Sequence, residues 1–214
     1  MELVGVADVR TDYRIKTATV LGIDVYAAVS ENVSDMRNAG IPVKGSLREL
    51  LSHVDVVADC TPNKIGAANK PLYEEVAVKV IYQGGEKHAL TGHSFVAQAN
   101  YESALGRHST RVVSCNTTSI LRTLGAMRQA GLLKRARGTL IRRASDPWEA
   151  HLDGIMNRVV PEKTIPSHQG PDAQTVISDL DVVTIAVKAS QTRVIFTQGT
   201  DSPKAPAPHL YTGA

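Results

Sequence analysis

The chain has 214 residues, enough for one large domain or two small ones, and its 43% hydrophobic and 21% charged residues are the balance of a globular protein with a core of its own. With 4% aromatic residues that core has to be aliphatic, and a net charge of +3 lends no support to a nucleic-acid role. No apolar run reaches the length of a membrane span, and the two cysteines, Cys60 and Cys115, neither make a disulfide framework nor show metal-ligand spacing. The expectation is a cytoplasmic protein with no membrane, nucleic-acid or metal partner.

In chain order, Leu3-Val4-Gly5-Val6-Ala7 reads as a fully apolar strand of the kind buried on both faces of a parallel sheet, and it ends in Asp8-Val9-Arg10. In a dinucleotide-binding fold an acidic residue closing the second strand holds the adenosine ribose, and a nearby Arg takes a 2′-phosphate; ordinary solvated loop charges are the other reading. Residues 17–21 read as helical, Val25-Tyr26-Ala27 as a short strand, and 34–39 as a short helix closed by Gly40. A capping serine, Ser46, opens a helix over 46–53 with Leu47, Leu50 and Leu51 on one side. Residues 54–59 form a second strong strand leading into Cys60-Thr61-Pro62-Asn63, followed by a helix over 65–76 and a strand over 78–82. Gln83-Gly84-Gly85-Glu86 comes next, and two adjacent glycines after a buried strand let backbone approach a ligand closely.

The stretch with the strongest chemistry is Arg111-Val112-Val113-Ser114-Cys115-Asn116-Thr117-Thr118. An apolar strand runs into one cysteine and then into three residues that favour helix N-caps; Ile120, Leu121, Leu124 and Met127 recur at helical spacing until Gly131. The thiol of Cys115 is thus expected where a strand ends and a helix begins. Unpaired N–H groups and aligned peptide dipoles there favour thiolate over thiol and receive the oxyanion formed when sulfur attacks a carbonyl. A buried structural cysteine is the alternative. Alternating strands and helices predict βαβ units in a mostly parallel sheet, where ligands gather beyond the carboxyl ends of the strands. Asp8, Thr61, Gly85 and Cys115 all fall at such ends.

Beyond the helix, residues 137–144 read as a long strand with Arg142-Arg143 at its end, only one of which easily faces a given side. Residues 146–164 are irregular and polar, and Ile165-Pro166-Ser167-His168-Gln169-Gly170-Pro171-Asp172 reads as a Pro/Gly-bounded loop. Residues 180–188 are apolar and β-like. The tail, 199–214, holds Pro203, Pro206 and Pro208 and is expected to be disordered.

Ser114-Cys115-Asn116-Thr117-Thr118, preceded by Tyr82-Gln83-Gly84-Gly85-Glu86-Lys87 and by Ser94-Phe95-Val96-Ala97-Gln98-Ala99-Asn100-Tyr101, resembles the type II glyceraldehyde-3-phosphate dehydrogenases typical of archaea. Asp59-Cys60-Thr61-Pro62-Asn63, Ile141-Arg142-Arg143-Ala144-Ser145-Asp146-Pro147 and Ser167-His168-Gln169-Gly170-Pro171-Asp172 fit the same family in the same order, over about residues 1–187. The resemblance implies an NAD- or NADP-dependent, phosphorylating aldehyde dehydrogenase, with glyceraldehyde 3-phosphate and inorganic phosphate as substrates and a homotetramer as the assembly. It implies Cys115 as nucleophile, Ser114, Asn116, His168 and Gln169 as substrate contacts, Gly85 as a cofactor contact and Arg143 as a cofactor or phosphate contact. Gln169 stands where the family has the second of two histidines.

The chain departs from that pattern in three places. Met1 already sits at what reads as the second strand, and no Gly-x-Gly-x-x-Gly occurs; the region 192–197 lacks the histidines the family places there, one of them its proposed general base; and the family's remaining C-terminal portion has no counterpart. The expected fold class is therefore α/β, an incomplete Rossmann-like parallel sheet lacking its first strand, followed by part of an α+β substrate domain. The expected organisation is a partial dinucleotide-binding domain over 1–114, a partial catalytic domain over 115–198 and a tail over 199–214. A fragment of such a dehydrogenase is the simplest account; a related semialdehyde or acyl-phosphate reductase and a catalytically inactive fragment are the alternatives.

Overall fold

The structure is a computed structural model, and it describes residues 1–143, 160–161, 164–189, 195–200 and 210–212. The chain divides into two compact units, Met1–Glu86 with Arg107–Ser109, and Lys87–Gly106 with Thr110–Ala214. No helix among the described residues is long and apolar enough to cross a membrane.

The first unit alternates strand and helix: β1 (Val6–Asp8), α1 (Tyr13–Val20), β2 (Val25–Ala27), α2 (Val33–Asn38), β3 (Val43–Ser46), α3 (Leu47–Leu51), β4 (Val56–Asp59), α4 (Ile65–Glu75) and β5 (Lys79–Tyr82). β1, β2 and β3 pair in that order, all parallel, and β4 pairs parallel with β5. Parallel pairing with a helix in every crossover is the α/β pattern that the alternation predicts. One core cluster gathers Ile15, Val25, Met36, Ile41 and Val43 between the β1–β3 sheet and the helices α1 and α2. Capping sets the helix starts. Asp12 Oδ1 accepts the Arg14 N–H, and Ser46 and Glu49 form a reciprocal capping box at α3.

Three local readings change. The first strand is shorter than the apolar run over residues 3–7, because Leu3 and Val4 are exposed rather than buried on both faces. Helix α1 starts four residues before 17, at the Asp12 cap. Strand β3 has no counterpart in the periodicity, since Lys44 and Gly45 interrupt its apolar character.

The second unit holds β6 (Ser94–Phe95), α5 (Ala97–Ala104), β7 (Ser109–Val112), α6 (Cys115–Gln129), β8 (Ala136–Arg143), β9 (Val160–Pro161), α7 (Gln169–Gln174), β10 (Val182–Ala189), β11 (Ile195–Thr200) and β12 (Leu210–Thr212). β6 and β7 are parallel. β8 lies between β10, parallel to it, and β11, antiparallel; β9 and β12 extend the sheet outward in the order β12-β11-β8-β10-β9. This mixed sheet is the α+β part. Its core is aliphatic: Ile120, Leu121 and Leu124 of α6 pack with Leu140, Leu180 and Val182. Gly199 and Thr200 close β11, and Leu210–Thr212 form β12, where the composition predicts no regular structure. The remaining tail residues and nearly all of 146–164 lie outside the described residues.

Candidate active site

Cys115 is the first residue of α6, one position past its N-cap. The cap is Ser114, not one of the three residues after the cysteine. Its Oγ accepts the Thr117 N–H at 3.2 Å and lies 2.9 Å from Thr117 Oγ1. The correction puts the sulfur deeper into the helix terminus, beside N–H groups that have no intrahelical acceptor. Cys115 is exposed, so the buried structural reading fails. Asn116 follows in the first turn, half-buried, and Thr117 is fully buried beneath it. The Ser114 hydroxyl, predicted as a substrate contact, is engaged in capping.

His168 and Gln169 lie not in a plain loop but at the start of α7, with His168 as its N-cap residue. Gly170 and Pro171 read as helix breakers, yet the first turn of a helix has no intrahelical use for its N–H groups, so a proline fits there. His168 is exposed; Gln169 is fully buried, and among the described residues its side-chain Oε1 and Nε2 have no hydrogen-bond partner. The segment is pinned from two sides. Toward β10, Ser167 N–H donates to Thr184 O at 2.7 Å and Gly170 N–H to Thr184 Oγ1 at 3.0 Å, with Ser167 Oγ 2.7 Å from Thr184 Oγ1. Toward β7, the Arg111 guanidinium donates to Asp172 Oδ1 at 2.5 Å and to Thr175 Oγ1 at 3.0 Å.

Arg111 and Asp172 are the residues that sequence reasoning passed over. A signal was present, since an arginine inside an apolar strand has to find a partner when the strand is buried. Arg143 ends β8 opposite Ala189, and its side chain lies outside the described residues.

In the first unit, Gly85 follows β5 with φ +87 and open space where a side chain would stand. Gly84 is required for a different reason, because a Cβ there would run into the Thr61 carbonyl oxygen. The Thr61 turn is fixed by Asp59, buried at the end of β4. Its carboxylate accepts from Thr61 Oγ1 at 2.5 Å, Thr61 N–H at 2.9 Å, Tyr73 Oη at 2.8 Å and Asn69 Nδ2 at 3.3 Å. Burial would push this carboxyl up, but those hydrogen bonds outweigh it and hold it below the usual carboxylate range. The neighbouring Cys60 thiol is pushed up by desolvation and by the Asp59 charge, so it makes a poor nucleophile. Asp8 closes β1, and its Oδ1 accepts the Val9 and Arg10 N–H groups at 2.7 and 3.1 Å. Gly85 and Asp8 both stand at or just past the carboxyl ends of parallel strands, where α/β sheets bind ligands. Among the described residues, no glycine-rich strand-to-helix turn supplies the pyrophosphate site.

No protein-family model matches the chain. It is 46% identical over 193 residues to the glyceraldehyde-3-phosphate dehydrogenase of Methanococcoides burtonii, covering 90% of this chain and 57% of that protein. The enzyme of the same name from Pyrococcus abyssi is 50% identical over 177 residues, 83% of this chain and 52% of that protein. Among solved structures, aspartate semialdehyde dehydrogenase II from Vibrio cholerae superposes with a TM-score of 0.56 at 14% identity, over 80% of this chain and 70% of that one. A second structure of that enzyme, complexed with ASA, gives 0.57 at 16% identity over 77% and 56%. These two likenesses show the fold, α/β with a Rossmann-like first part. The chain is a homologue of the archaeal glyceraldehyde-3-phosphate dehydrogenases and spans about half the length of the relatives it matches.

Proposed function

We propose that the chain carries the thiol half of an NAD(P)-dependent, phosphorylating glyceraldehyde-3-phosphate dehydrogenase. The observation that supports this reading most is the exposed Cys115 at the first position of a 15-residue helix, inside the segment shared with dehydrogenases of that name. The sulfur of Cys115 attacks the aldehyde carbon, and backbone N–H groups at the start of α6 receive the hemithioacetal oxygen. A bound nicotinamide, NAD or NADP, supplies hydride acceptance. The oxidised carbon is then a thioester on Cys115, and an oxygen of inorganic phosphate displaces the sulfur to give the acyl phosphate and the free thiolate. Asn116, His168 and Gln169 hold the substrate, Ser114 shapes the helix start, and Gly85 and Arg143 serve the cofactor. Residues 1–114 carry dinucleotide binding and 115–198 carry catalysis, in a cytoplasmic homotetramer.

The acyl half of the cycle runs without cofactor and is the direct test. 1,3-Bisphosphoglycerate should acylate Cys115, the sulfur–carbon bond forming as phosphate leaves. Intact mass and peptide mapping should find the acyl group on Cys115 and nowhere in Cys115→Ser. Equal acylation of Cys60, or none, contradicts the reading. With no pyrophosphate turn among the described residues, calorimetric titration of this 214-residue chain should give NAD and NADP affinities weaker than micromolar. The Vibrio cholerae enzyme's name supports a second reading, the same thiol chemistry on a semialdehyde without phosphate. Faster thioester formation from an aspartyl phosphate than from 1,3-bisphosphoglycerate would favour it.

A further inference from the structure

Arg111 lies on β7, four residues before Cys115, and its side chain is 7% exposed; that of Asp172, on α7, is 17% exposed. A charge pair this buried is not a surface ornament, because taking two charges out of water is costly and is offset only by close geometry and further hydrogen bonds. Arg111 has both. Its Nε donates to the fully buried Ser94 Oγ at 2.7 Å, and one terminal nitrogen donates to Asp172 and to Thr175. Asp172 in turn holds the start of α7, since its N–H donates to His168 O at 3.0 Å, and Thr175 Oγ1 donates to Asp172 O at 2.7 Å. One guanidinium therefore joins β6, the strand that leads to Cys115, and the first turn that presents His168 and Gln169.

We infer that Arg111 and Asp172 are a positioning pair that sets where His168 and Gln169 stand for the phosphate-bearing aldehyde. Neither touches the substrate; the pair acts through α7. The inference rests on the reading of Cys115 and α7 as one site for glyceraldehyde 3-phosphate. Among the described residues the buried Gln169 amide makes no side-chain hydrogen bond, so its place is set through α7.

Two variants of the full chain test the pair. Asp172→Asn keeps the shape and removes the charge. Arg111→Met with Asp172→Leu replaces the pair by apolar groups and leaves no uncompensated buried charge, and circular dichroism checks that the variant folds. Iodoacetamide alkylation of Cys115, followed by peptide mapping, gives a basal rate set by α6 and its slowing by glyceraldehyde 3-phosphate. In both variants the basal rate should stay within about twofold of the parent, because the helix terminus is unchanged. The aldehyde concentration for half-protection should rise about tenfold, the scale of a small misplacement of positioning groups. Unchanged protection in the folded apolar variant overturns the inference. If the parent itself is not protected, the reading of the site fails, and amide exchange over residues 168–172 then decides the pair separately: faster exchange in both variants supports it, and unchanged exchange overturns it.

Discussion

Two thiols in one chain are told apart by their surroundings. Cys60 sits against a carboxylate whose charge is locked in place, and this neighbour and partial desolvation both disfavour its thiolate. Cys115 stands elsewhere, exposed at the first position of α6 just past its Ser114 cap. Alkylation of Cys60 should accordingly become fast only at pH above the ordinary cysteine range, and Asp59→Asn should move that rise to lower pH; a pH–rate series on the Cys115→Ser variant checks both. Asp59 also makes folding pH-dependent. Its folded-state value lies below the ordinary 3.8, so its contribution is fully present above that value and is lost as pH falls through the folded value. Asp59→Ala should cost about 2 kcal/mol, as Thr61 and Tyr73 lose a charged acceptor. Urea melts at pH 7 measure that loss, and the acid-induced loss should be smaller in the variant than in the parent.

At the scale of elements, the caps and the close approaches decide whether the site residues stay in place. Ser114→Ala should lower stability by about 1 kcal/mol through the unsatisfied Thr117 N–H, and it should raise amide exchange in the first turn of α6. Gly84→Ala should be worse than Gly85→Ala, since the first meets the Thr61 carbonyl while the second meets only a strained φ; thermal melts rank the two. Much of this was legible in the residues themselves. The period of Ile120, Leu121 and Leu124, the stop at Gly131 and the capping serine at Ser46 name α6 and α3 outright, because hydrophobic spacing and caps act locally. Helix α7 was hidden because Gly170 and Pro171 break helices everywhere except in a first turn. The short strand β3 was hidden because pairing with β2, not its own residues, makes it a strand. The Arg111–Asp172 pair joins residues 61 positions apart, and no periodicity reports a contact of that range. The sequence pattern put Cys115 at a strand-to-helix junction, where the structure has it, but not the Ser114 cap or the Arg111–Asp172 pair.

Across the whole molecule, each unit has its own core, and the two differ in size. The cluster around α6 joins eleven buried residues from helices and the mixed sheet, whereas the one around β2 joins six. Among the described residues, β1 and β4 each pair on one side only. Hydrogen exchange in rising urea should therefore show protection lost in the first unit before the second, with β1 and β4 among the earliest strand amides to exchange; simultaneous loss in both units would contradict this. The account as a whole depends on the sulfur of Cys115 being the nucleophile that accepts glyceraldehyde 3-phosphate. Mass-resolved alkylation of both thiols at neutral pH, with and without that aldehyde, measures it most directly. The account predicts that Cys115 reacts much faster than Cys60 and is slowed by the aldehyde while Cys60 is not; equal, sluggish rates that the aldehyde leaves unchanged would contradict it.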